Sequence, residues 1–184
     1  LIHLLKERKI GKRTVVVVPE ESHTQEAVCK AVHDGFIEPI LVCSKQTMED
    51  YAKKNAFQCI IAESPEDAAR KAVELIRRGE ADIVMKGFLN TDVLLRAILD
   101  KEVGILPKDT VLTHITVAKL PEYPKLLFFT DAAVIPAPND KQRRAQVQYI
   151  VDFCHAFEIE CPKIALIHCS EKVDERHFPY TASY

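Results

Sequence analysis

The sequence predicts an α/β protein: a doubly wound, mostly parallel sheet, followed by an antiparallel hairpin and an incomplete second domain. Three observations predict it. Short apolar runs alternate four times with helical patterns before Gly104, as successive β-α units do. The first run, Thr14-Val15-Val16-Val17-Val18, is β-branched without alternation, the pattern of a strand covered on both faces. After Gly104 two β-rich runs follow one another with only Pro121-Glu122-Tyr123-Pro124 between them, which predicts a hairpin and not a crossover.

The first strand, residues 14–18, stops at Pro19. Ser22-His23-Thr24-Gln25 fits a capping box, and Ala27, Val28, Ala31 and Val32 recur at helical spacing until Gly35 closes the helix. Residues 40–43 form the second strand, 48–54 a short helix and 59–61 a third strand. Ser64-Pro65-Glu66-Asp67 opens the next helix with a cap, an early proline and first-turn acids, and Gly79 follows its basic end. Ile83-Val84-Met85 is a fourth strand. It ends in Lys86-Gly87, after which Asn90 or Thr91 caps an apolar-periodic helix over 93–99 that contains Arg96.

Beyond Gly104 the hairpin strands are residues 111–120 and 125–129. The second empties into Thr130-Asp131-Ala132-Ala133. Pro136 and Pro138 mark a loop, Asn139 or Asp140 caps a helix to about Phe157, and Ile164 to Ile167 reads as another buried strand. This places a first α/β domain at 1–137 and the start of a second at 138–184, which looks unfinished because its last strand lacks neighbours.

Bulk properties exclude several classes. The 184 residues carry 25 Lys plus Arg against 27 Asp plus Glu, so there is no electrostatic footprint for nucleic acid or an acidic membrane. Residues 1–10 are too short and too soon charged for a signal peptide or membrane span, and the missing initiator Met suggests a natural start further upstream. The lysine-arginine cluster over 6–13 reads as solvated. Six cysteines without C-x-x-C spacing read as reduced thiols of a cytosolic protein. A zinc site from Cys154, His155, Cys161, His168 and Cys169 is weighed and set aside, since these fall in helical and strand-like runs and not in converging loops. No metal ligand is assigned.

Five glycines, at 11, 35, 79, 87 and 104, leave no G-x-G-x-x-G, P-loop or G-x-S-x-G. What remains is a rim of strand ends: Ser22 and His23, Lys86 to Thr91, Thr113 and His114, Thr130 and Asp131. Ligands of open α/β sheets bind at the carboxyl ends of the strands, and this cationic, hydroxyl-rich rim suits small molecules bearing phosphate. A lysine at a strand end beside the uncompensated amides of a helix N-terminus is a common anion site. Each residue also has a plainer reading: Lys86 solvated, Arg96 on a helix face, His114 in the core, Asp131 as a loop or helix cap.

The stretch over residues 81–99 resembles the signature of phosphate butyryltransferases and the related phosphate acetyltransferases. The likeness continues in order through Glu26-Ala27-Val28, residues 35–42, Thr113-His114-Ile115-Thr116-Val117, residues 126–133, Pro162-Lys163-Ile164-Ala165 and Glu171. The Met-Lys-Gly and Thr-His forms are closer to the butyryl branch. Cys43-Ser44 stands where the family usually has Gly-Asp, and Ser22-His23 where an acid is common. The resemblance implies an isopropylmalate-dehydrogenase-like fold and exchange of an acyl group between coenzyme A and inorganic phosphate, with no metal or redox cofactor. It also implies a cytoplasmic homodimer or larger homo-oligomer.

By position, it implies that Lys86, Gly87, Thr91 and Thr130 hold phosphate or the oxyanion, that Asp131 orients them, and that Arg96 meets a phosphate of coenzyme A. The family's Ser-Arg-x-Asp segment, held to orient coenzyme A and deprotonate its thiol, has no counterpart here. The catalytic base is therefore expected in a C-terminal part that this chain lacks. Two further readings stand beside this one: a non-catalytic module binding coenzyme A or an acyl phosphate, and a metal- and nucleotide-dependent decarboxylating dehydrogenase of similar fold.

Overall fold

The computed structural model describes residues 11–167 and 172–178. The chain divides into two compact units, Leu1–Lys108 and Asp109–Tyr184. The hairpin therefore groups with the long helix that follows it, and residues 136–139 lie inside the second unit.

In the first unit, strands β1 (Lys12–Val17), β2 (Ile37–Cys43), β3 (Gln58–Ile61) and β4 (Ile83–Lys86) form one parallel sheet in the order β3-β2-β1-β4. The β-branched run is central: Val15, Val16 and Val17 are fully buried. Alternate side chains go to opposite layers. Val15 and Val17 pack with Ala68, Ala69, Ala72 and Leu75 of helix α3 (Pro65–Arg77) and Leu94 of α4 (Thr91–Ile98). Val16, Leu41 and Cys43 pack with Val28 of α1 (Ser22–His33) and with Tyr51 and Ala52. Helices on both faces make the sheet doubly wound, as the sequence predicts.

The α3 helix forms where local chemistry demands it. Ser64 accepts a hydrogen bond from the Asp67 amide, Pro65 occupies the first turn, and Gly79 adopts φ +67° just past its end. Its three alanines let the helix approach the sheet closely. Lys71 and Arg70 both donate to Asp67, and the Lys71 ammonium first of all holds that carboxyl at about 2.

Several boundaries differ from expectation. The α1 capping box is absent: Glu21 is the N-cap and makes no side-chain cap bond. Gln25 instead donates its amide to the Pro19 carbonyl, and Thr24 donates to Glu21. The next helix starts earlier, at α2 (Lys45–Thr47), and continues as a π-helical turn over Met48–Ala52. Its Ser44 cap is gripped by Glu20, which accepts from the Ser44 amide and hydroxyl and from Thr47.

In the second unit, β5 (Thr116–Lys119) and β6 (Leu126–Phe129) pair antiparallel, Thr116 opposite Phe129 and Lys119 opposite Leu126. Helix α5 (Asp140–Ala156) opens with a full capping box between Asn139 and Gln142. Phe128 of the hairpin meets Phe153 and Phe157 at ring-centroid distances of 6.1 and 5.5 Å. The predicted strand over 111–120 shortens to its last part, because Thr113 and the His114 amide bond to a side chain and not to a neighbouring strand. Residues 164–167 are exposed and are not a strand, there being no partner for them among the described residues. His168, Cys169 and Glu171 lie outside those residues. No helix among the described residues is long and apolar enough to cross a membrane.

Candidate functional site

The strand order reverses between β1 and β4, since successive crossovers run outward to β2 and β3 and then return to the other side of β1. Such a reversal leaves a crevice at the carboxyl ends of the two strands. Here those ends are Val17-Val18-Pro19 and Lys86-Gly87, and they are locked together. The Gly87 amide donates to the Val17 carbonyl at 2.9 Å and the Phe88 amide to the Val18 carbonyl at 2.7 Å. Val18 itself has φ +55°. Gly87 is required by space: a Cβ built there would lie 2.4 Å from the Val18 carbonyl oxygen.

Lys86 is exposed at this point, its Nζ making one long bond of 3.3 Å to the Gly87 carbonyl. Its ammonium thus keeps donors for a ligand. Asn90 is the N-cap of α4 but makes no side-chain cap bond, so no side chain closes the first turn at Thr91 and Asp92. Lys86 ends β4, Gly87 follows it and Thr91 opens α4, so the three share one short strand-to-helix segment. A cation and a run of uncapped amides can together bind an anion.

Arg96 is placed elsewhere. It pairs with Asp92 at 2.7 Å and its side chain is 80% exposed. With Arg70, Arg77, Val73, Val93 and Ala97 it lines a groove of about 440 Å³ between α3 and α4, in which neither Lys86 nor Thr91 takes part.

In the second unit Asp131 sits at the centre of a hydrogen-bonded cluster. One carboxylate oxygen accepts from the Thr113 hydroxyl at 2.7 Å and the His114 amide at 3.1 Å, and the other accepts from the Ala133 and Val134 amides at 2.9 and 2.8 Å. The Thr113 and Thr130 hydroxyls are 3.0 Å apart. Partial burial by itself raises the Asp131 pKa, and the four donors outweigh it, holding the carboxyl well below the usual range. A carboxylate so saturated is a scaffold for Thr113 and Thr130, not a proton acceptor at neutral pH.

This has a testable sign. A depressed folded-state pKa contributes stability that is present above the unfolded value, about 3.9, and lost as pH falls through the folded one. Asp131→Asn is expected to cost about 2–3 kcal/mol in urea unfolding at pH 7, the worth of bonds to a charged acceptor. The gap between the wild type and the variant should stay constant above about pH 5 and close as pH falls below about 4.

Glu20 is a rim residue that sequence reasoning missed. Its carboxylate is consumed by Ser44 and Thr47, and its only sequence signal is an acid just past the first strand. Phe88 is 65% exposed, and its only sequence signal is its place in the turn after Gly87. Among the described residues no group of three or more His, Cys, Asp or Glu is placed to hold a metal ion. Burial pushes the Cys43 thiol up to about 12, and Cys154 is likewise raised by burial.

Residues 52–179 match the family described as phosphate acetyl/butaryl transferase. The chain belongs to this family. It is similar to the phosphate butyryltransferase of Clostridium acetobutylicum, 36% identical over 175 residues that make up 92% of this chain and 58% of that protein. It is also similar to the phosphate acetyltransferase of Thermotoga maritima, at 28% identity over 90% of this chain and 58% of the relative. A solved branched-chain phosphotransacylase from Enterococcus faecalis V583 superposes with a TM-score of 0.76 at 24% identity, over 89% of this chain and 59% of that one. The chain thus spans a little over half the length of these phosphate acetyl/butyryltransferase relatives. Lys86, Gly87, Thr91, Arg96, Thr130 and Asp131 all fall within the matched segment.

Proposed function

We propose that this chain carries the phosphate-binding part of a cytoplasmic acyltransferase that exchanges a short acyl group, butyryl or similar, between coenzyme A and inorganic phosphate: acyl-CoA + phosphate = acyl phosphate + CoA. The observation that carries this reading is Lys86, held at the strand-order reversal by a glycine pinned against β1 and followed by an uncapped helix start. Family membership supplies the reaction class.

In one direction a phosphate oxygen attacks the thioester carbonyl. The tetrahedral intermediate that forms carries an oxyanion, and CoA thiolate leaves as it collapses. In the other direction the thiolate attacks the acyl phosphate and phosphate leaves. Preorganised donors near the developing charge lower the barrier. On this reading Lys86 and the first-turn amides around Thr91 bind the phosphate, and within the second unit Asp131 fixes the orientation of the Thr113 and Thr130 hydroxyls as donors to an anionic oxygen. The exchange as written needs neither redox cofactor nor metal. Assembly as a homodimer belongs to the same proposal.

Arg96 is assigned to a phosphate of coenzyme A, for which it would exchange its Asp92 partner. Arg96→Ala is then expected to raise KM for CoA about tenfold, the loss of one charge-assisted contact, with KM for the acyl phosphate unchanged. Steady-state kinetics in the CoA-acylating direction check this, and equal rises in both constants would remove Arg96 from the CoA site. The reaction itself is tested by incubating the protein with butyryl-CoA, phosphate and hydroxylamine. Free thiol and butyryl hydroxamate should appear in equal amounts. Thiol without hydroxamate would indicate a thioesterase instead.

A further inference from the structure

We infer that Phe88 forms a wall of the acyl subsite, so that acyl-chain selectivity is set in the turn joining β4 to α4. The inference rests on the acyltransferase reading above and names the part of the substrate that this residue meets. Phe88 is 65% exposed, the most exposed large apolar side chain of the first unit among the described residues. The backbone carrying it is not loose. Its own amide bonds to Val18 at 2.7 Å, Gly87 before it is clamped on β1, and Leu89 after it is buried in the core at 9% exposure. A fixed backbone therefore presents the ring to solvent while its apolar neighbour goes inward.

Leaving a phenylalanine in water forgoes the burial that holds Leu89, and at a ligand crevice that burial is recovered when an apolar group arrives. The surroundings decide which group that is. Phe88 lies two residues after Lys86 and three before Thr91, and the residues around it in this turn, Lys86, Asn90, Thr91 and Asp92, are polar or charged. In an acyl phosphate the carbonyl carbon is one oxygen removed from phosphorus. An acyl chain must therefore begin within a few bonds of whatever holds the phosphate. The adenine of coenzyme A lies at the far end of the pantetheine arm from the reacting sulfur and has no such constraint. The geometry points to a short saturated acyl chain against the ring.

The test uses the protein from its full natural reading frame, as wild type, Phe88→Ala and Phe88→Leu, with acetyl-, propionyl- and butyryl-CoA at saturating phosphate. Phe88→Ala is expected to lower kcat/KM for butyryl-CoA by about 10-fold or more relative to acetyl-CoA, with Phe88→Leu between, as lost apolar contacts scale with methylene count. Melting temperature should stay within about 1 °C, because the side chain is exposed. A loss equal for all three substrates, no change in any, or product inhibition by free CoA weakened as much as binding of every acyl-CoA would overturn the inference. Absence of turnover by the wild type with every acyl-CoA would overturn the acyltransferase reading, and this inference with it.

Discussion

Lys86→Gln is expected to cut kcat/KM for butyryl transfer to phosphate about 100- to 1,000-fold, the usual cost of removing one preorganised donor from a developing oxyanion. The change should appear in KM for phosphate as well as in kcat, because the same ammonium faces the anion in ground and transition states. Folding should be spared. Lys86 is exposed and its one internal bond is long, so the melting temperature should move by no more than about 2 °C. Lys86→Arg keeps the charge but replaces a compact ammonium with a planar fork, and it should recover only part of the activity. Kinetics of Lys86→Gln within threefold of wild type would remove this residue from the chemistry.

Gly87→Ala should damage both fold and activity. The added methyl would stand 2.4 Å from the Val18 carbonyl oxygen and 2.7 Å from that of Val17. Both are backbone atoms of the central strand and its exit, so no side chain can rotate away. Relief requires the end of β4 to move off β1, stretching the bonds from Gly87 and Phe88 to Val17 and Val18. Overpacking of this kind costs about 3 kcal/mol, which for a protein of this size lowers the melting temperature by about 6–12 °C. Lys86 and the first turn of α4 would move with it. Thermal denaturation and kinetics on the same sample check the two effects together, and a variant as stable and active as wild type would show that the close approach does not exist in solution.

The first unit was legible because each element there carries its own signal. An unbroken β-branched run marks a strand covered on both faces, and Ser64-Pro65 with Gly79 brackets α3. Strand order was not legible, because it depends on where the crossovers return. In the second unit the pattern misleads: residues 111–115 have strand composition, but the Thr113 hydroxyl and His114 amide are taken by Asp131 and the Val111 amide by Tyr149, and 164–167 are apolar yet exposed.

The site divides in the same way. Lys86, Gly87 and Thr91 lie within six residues of one another, so local chemistry was enough to group them. Arg96 is five residues beyond Thr91, which on an α-helix is roughly 140° around the axis, and it projects into the groove toward α3. Phe88 carried no periodic signal and was visible only once its exposure was known. The capping box expected at the start of α1 failed because Gln25 and Thr24 find other partners.

The measurement that bears most directly on the central claim is free thiol released from butyryl-CoA, followed continuously with and without inorganic phosphate. Release should be rapid, saturate with phosphate, stop in its absence and be nearly abolished by Lys86→Gln. Release at the same rate without phosphate, or no release under any phosphate concentration from the protein of full natural length, would contradict that claim.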